Sequence, residues 1–232
     1  MATQPPPPNE PQSPSNKGPS GVMVMLALAV LIVIGGAIAL IAGGGGKGST
    51  STQTAIQTPV PSKYAGSLAS PATNEPPLQL RNYKGERVNI AQYRGKAVFV
   101  TFIYTHCPDV CPIIASNLGV SLNLMGAKQA SKAQVIAVSV DPRGDTPAAV
   151  ASFLRRHGVF GRMQYLVGSR RELARVWKAW GVGSERDAGN PELVNHSGLV
   201  YGITATGKVT TLYAANFKPQ EVVHDAPLLA SS

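Results

Sequence analysis

Hydrophobic and polar positions divide this chain into four stretches. Residues 1–20 (MATQPPPPNEPQSPSNKGPS) show no apolar periodicity. A segment so poor in buriable surface cannot offset its ordering entropy, so a disordered tail is expected. Residues 22–42 (VMVMLALAVLIVIGGAIALIA) are apolar on every side, with no charge between Lys17 and Lys47. As a helix this run is about 31 Å long, close to the roughly 30 Å hydrocarbon core of a bilayer. A transmembrane anchor is therefore expected over residues 21–43. A cleaved signal peptide competes with it, since Ala37-Ile38-Ala39 resembles a cleavage site. Against cleavage, the leader is long and barely basic, and the run exceeds the roughly 7–15 residues of a signal-peptide core. A buried helix of a soluble core would carry a polar face, and this run has none. Residues 44–77 open on four glycines and continue in Ser, Thr, Gln and Pro, the composition of a flexible linker. The folded domain is expected over residues 78–232.

Within that domain the pattern alternates between strand and helix. Leu78–Leu80 and Arg87–Ile90 flank Asn82–Gly85 as a hairpin. Ala97–Tyr104 and Gln134–Val140 are continuous β-branched and aromatic runs, expected as buried strands. Cys111–Met125 has helical spacing. A second helix should begin at Pro147, capped by Asp145 or Thr146, and stop before Gly158. A short strand at Met163–Val167 and a helix at Arg170–Trp180 follow. Leu199–Ile203 and Lys208–Leu212 form a late hairpin, and Pro219–Leu229 a last helix. The fold class is α/β, a mixed sheet with helices on both faces.

Charge narrows the functional classes. The formal net charge is +9 and the pI near 9.8. No basic run accompanies it, so nucleic acid is not an expected partner. The densest positive spots, Arg155-Arg156 and Arg170-Arg171, fall inside expected helices and read as solvated faces. Dispersed positive charge suits weak attraction to a membrane surface or an acidic protein.

The chain has two cysteines, and both lie in Thr101–Pro112, TFIYTHCPDVCP. A strand runs into Cys107 and a helix follows, with Pro108 suited to its first position. The positive end of that helix favours the Cys107 thiolate, which is both nucleophile and metal ligand. Cys111 lies four residues on, on the same face if the segment is helical. Two such thiolates hold one soft ion or close a disulfide. A merely structural disulfide is the weaker reading, because so short a loop constrains little of the unfolded chain.

This motif resembles the Sco/SenC family of copper-binding proteins linked to cytochrome c oxidase assembly. The Cys-Pro-Asp-x-Cys-Pro block is joined by Val138–Pro147 (VSVDPRGDTP), by Val194–Ser197 (VNHS) and by the lead-in LRNYKGERVNIAQYRGK. The resemblance covers roughly residues 78–229 and implies a thioredoxin-like fold. It also implies one copper ion, as Cu(I) or Cu(II), held by Cys107, Cys111 and His196. Asp141 is at most a supporting residue behind those ligands. Two positions depart from the family: Asn195 stands where Asp is common, and Gly144 where Arg often precedes Asp-Thr-Pro. The implied role is a chaperone rather than an enzyme, receiving copper from an unidentified donor and passing it to the binuclear copper centre of cytochrome c oxidase subunit II. The implied setting is a bacterial inner membrane, crossed once, with the domain on the periplasmic side.

Sequence chemistry leaves rivals open. Zinc also takes Cys and His, though structural zinc sites usually close with four ligands. A thiol–disulfide oxidoreductase would work through a mixed disulfide at Cys107. A thiol peroxidase would not need His196. Spacing alone does not select His196 over His106, His157 or His224. His106, read as strand, is expected to point away from Cys107 and pack. His157 reads as a structural residue at a helix end, and His224 lies on the last helix.

Overall fold

The computed structural model describes residues 62–183, 185–186, 194–195 and 198–232. The expected anchor at 21–43 lies outside them, as does His196. Among the described residues no helix is long and apolar enough to cross a membrane.

The strands are β1 (Ser67–Asn74), β2 (Gln79–Asn82), β3 (Arg87–Asn89), β4 (Ala97–Ile103), β5 (Ala133–Ser139), β6 (Met163–Val167), β7 (Glu185–Arg186), β8 (Val194–Asn195), β9 (Val200–Ile203) and β10 (Lys208–Tyr213). The helices are α1 (Val110–Leu124), the short α2 (Gly126–Ala130), α3 (Pro147–Arg156), α4 (Arg170–Ala179) and α5 (Pro219–Ala230). Eight strands form one mixed sheet in the order β1-β10-β9-β4-β5-β6-β2-β3, and β7 pairs with β8 separately.

Continuous apolar runs make the centre. All seven residues of β4 are buried, and β4 pairs in parallel with β5, as β5 does with β6. Parallel strands need crossovers, and helices supply them by covering the sheet, so both strand faces read apolar. The helix boundaries follow their caps. Thr146 Oγ1 accepts the Ala149 amide hydrogen at 3.3 Å with Pro147 in the first turn. Ser169 and Glu172 close a reciprocal capping box on α4.

Two pairings were not expected from sequence. Ser67–Asn74, within the stretch read as linker, pairs antiparallel with β10 at the sheet edge. Its side chains are almost all exposed, so it carries no inward-outward alternation to announce it. The two-residue pairing of β7 with β8 is too short to leave a pattern.

That early segment is fastened at its start. The buried Asp225 carboxylate on α5 accepts the amide hydrogens of Ala65 at 2.8 Å and Gly66 at 2.9 Å, and the Tyr213 hydroxyl at 2.8 Å. Gly66 is required there, because a Cβ would lie 2.6 Å from the Tyr213 ring.

Candidate metal centre

The site forms where β4 leaves the sheet. After Ile103 the chain turns, and the Cys107 amide donates to the Tyr104 carbonyl at 3.4 Å. Helix α1 starts only at Val110, with Asp109 at its N-cap. Pro108 therefore precedes the helix instead of opening it, and Cys107 and Cys111 do not share a helical face. The turn brings them together anyway, and the two thiols are in hydrogen-bond contact. No disulfide joins them, and both are buried, with Cys107 8% exposed and Cys111 0%.

That contact and burial decide the resting state. The Cys111 pKa is raised, first by its hydrogen bond with Cys107 and then by burial, while a backbone hydrogen bond from Tyr104 opposes both. Both influences favour the protonated thiol of Cys111. Binding a soft cation there releases protons.

A buried polar lattice supports the turn. Asp145 Oδ1 accepts the Thr105 amide hydrogen at 2.8 Å. Asp145 Oδ2 accepts from Ser139 Oγ at 2.6 Å and from the Tyr165 hydroxyl at 2.8 Å. The Trp177 indole donates to the Ser139 carbonyl at 2.9 Å. Burial, the larger influence, raises the Asp145 pKa against these donors. The sequence offered Asp145 only as a helix cap, a post that Thr146 holds. Its depth in the fold was not legible.

Asp141, the expected supporting residue, is buried, and its Oδ1 accepts the Arg143 amide hydrogen at 3.3 Å. A Cβ on Gly144 would collide with Asp141 Oδ2 and stand 3.0 Å from His106 Nδ1. The glycine therefore lets the Asp141 carboxylate approach the residue before Cys107.

His106 corrects the expectation of packing. Strand β4 has already ended, so alternation does not govern its direction. It is exposed, its Nδ1 lies 3.1 Å from Thr105 Oγ1, and it lines a cleft together with Cys107. His157, past the end of α3, has its Nδ1 3.0 Å from Ser116 Oγ and packs its ring, tilted by 53°, against Phe153 with centroids 4.5 Å apart. It fills the structural role expected and also borders the cleft. His224 pairs with Asp225 at 2.7 Å.

Among the described residues no third Cys, His, Asp or Glu joins the thiols in a set able to hold a metal ion. The chain that follows His196 does return to the site. A Cβ on Gly198 would lie 3.7 Å from a Val110 methyl, beside Cys111. The Thr101 hydroxyl donates to the Leu199 carbonyl at 3.0 Å.

Comparison with known proteins gives a consistent picture. The SCO1/SenC family profile matches residues 67–229. The mouse (Mus musculus) protein named Protein SCO2 homolog, mitochondrial, is 27% identical over 161 residues, which is 68% of this chain and 62% of that protein. This chain thus spans less than two thirds of that relative. The structure of Bradyrhizobium japonicum ScoI with copper bound is similar at a TM-score of 0.59 and 29% identity, covering 68% of this chain and 99% of the other. Apo Sco1 from Thermus thermophilus gives a TM-score of 0.61 and 26% identity, covering 72% and 96%.

Proposed function

The chain belongs to the SCO1/SenC family, and from that premise we propose that it is a membrane-anchored copper chaperone using Cys107, Cys111 and His196. The observation that carries this reading is the contact between its only two thiols, both buried and one of them, Cys107, lining a cleft. Thiolates are soft donors that select Cu(I), and an imidazole lets the same site accept Cu(II). The fit to copper rests on this donor set and on the likeness to a copper-bound ScoI.

His196 is two residues before Gly198, a span of at most about 7 Å between Cα atoms. With Gly198 against Val110, that reach supports His196 as third ligand. A three-ligand site stays open to attack by an incoming donor, which suits transfer. The chaperone would pass Cu(I) to the thiolates of the binuclear copper site of cytochrome c oxidase subunit II. Residues 21–43 would anchor it in a bacterial inner membrane, with the domain on the periplasmic side.

A second reading draws on the same contact. Neighbouring thiols close a disulfide readily, so Cys107 and Cys111 would deliver two electrons and two protons to a disulfide in the target. The test mixes the copper-loaded chain with the copper-free domain of subunit II. Chaperone action moves copper and leaves Cys107 and Cys111 reduced. Reduction of an oxidised target with no movement of copper, and formation of the Cys107–Cys111 disulfide, would favour the reductase.

A further inference from the structure

The cleft at Cys107 has an apolar floor and a rim that carries Arg156. It encloses about 520 Å³ and is lined chiefly by His106, Cys107, Pro112, Phe153, Arg156 and His157. Phe153 and Pro112 give the floor. Ser116 on α1 engages the Nδ1 of His157, whose Nε2 has no partner among the described residues. Arg156 is exposed, and none of the ion pairs among the described residues includes it. No carboxylate is among the described residues lining the cleft.

This arrangement differs from a solvated helix face. The end of α3 is brought against α1 by the His157–Ser116 contact, so Arg156 and His157, 45 to 50 residues from the cysteine block in sequence, border the more exposed thiol. A small inorganic anion would use Arg156 but not the apolar floor. An extended peptide uses both, apolar atoms below and carboxylates at the rim.

We infer that this cleft docks an acidic, cysteine-bearing segment of the partner protein, held by Arg156 and His157 so that its sulfur meets Cys107. The inference rests on the reading of the Cys107–Cys111 pair as the exchange site. Charge complementarity at such a rim sets orientation and encounter rate.

The test uses the full, metal-free chain at low salt and a fluorescein-labelled peptide, Asp-Glu-Ser-Gly-Ser-Gly-Ser-Glu-Asp. Serine replaces cysteine so that neither metal nor disulfide chemistry contributes. A control peptide carries Asn and Gln for the acids. The acidic peptide should bind about tenfold tighter than the control, and Arg156→Glu should weaken it about tenfold. His157→Gln should weaken it less. Arg171→Glu, exposed on α4 and equal in charge change, should leave it nearly unaltered. Equal binding of the two peptides, or an equal loss in Arg171→Glu, would overturn the inference by reducing it to net charge. Copper affinity measured on the same proteins separates the two proposals. Lost peptide binding with copper affinity unchanged in Arg156→Glu supports the docking cleft. A chain that binds the peptide but no copper keeps the cleft and rejects the copper reading.

Discussion

Asp145 accepts the amide hydrogen of Thr105 at 2.8 Å, and Thr105 stands two residues before Cys107. One buried carboxylate thereby fixes the turn that brings the thiols together, while its second oxygen holds Ser139 and Tyr165. Asp145→Ala would leave the Thr105 amide and the Ser139 hydroxyl without an acceptor, and the Tyr165 hydroxyl with only the Ile103 carbonyl at 3.3 Å. Each such loss costs about 1–3 kcal/mol, and a total of at least about 2 kcal/mol is expected. Asp145→Asn should cost less, because the two hydroxyls can rotate to accept from the new amide. Urea unfolding of both variants checks the order; equal stability of Asp145→Ala and the parent would contradict it.

Asp225 plays the corresponding part beside the edge strand β1. The Tyr213 hydroxyl stays protonated, its pKa raised mainly by burial, and donates to Asp225. Tyr213→Phe should destabilise the chain by about 1–3 kcal/mol by removing that donor from a buried carboxylate. Asp225→Ala should do more, and should release the Ala65 and Gly66 amides to hydrogen exchange. Retained protection at those two amides would show that β1 is held by its pairing with β10 alone.

His157 gives a pH dependence. Burial, and then the neighbouring Arg156, hold its pKa below the usual histidine value. The unfolded chain therefore takes up a proton first as pH falls. The stability linked to His157 is present above about pH 6.5 and is lost as pH drops through the folded-state value. His157→Gln removes the titration, so its urea midpoint should fall less between pH 7.5 and pH 5 than that of the parent. Parallel declines would show that burial of His157 carries no such linkage.

Much of this fold was legible because its signals are local. AVFVTFI and AQVIAVS are short runs rich in β-branched residues, the pattern of strands covered on both faces, and Thr146-Pro147 and Ser169–Glu172 mark helix starts in their own sequence. Cys107 and Cys111 stood out as the only thiols. What was not legible depends on tertiary approach. Ser67–Asn74 becomes a strand by pairing with β10, with almost nothing of its own to bury. Arg156 and His157 border the thiols because α3 meets α1, and His106 faces the cleft because β4 ends three residues earlier than alternation assumed. His196 and the apolar run at 22–42 lie outside the described residues and stand on sequence and resemblance.

The most direct measurement is X-ray absorption at the copper K edge on the full chain loaded with one equivalent of Cu(I). Two sulfur neighbours and one nitrogen neighbour are expected, with copper lost in Cys107→Ala and the nitrogen alone lost in His196→Ala. An unchanged copper environment in His196→Ala, or copper retained in Cys107→Ala, would contradict the proposed ligand set.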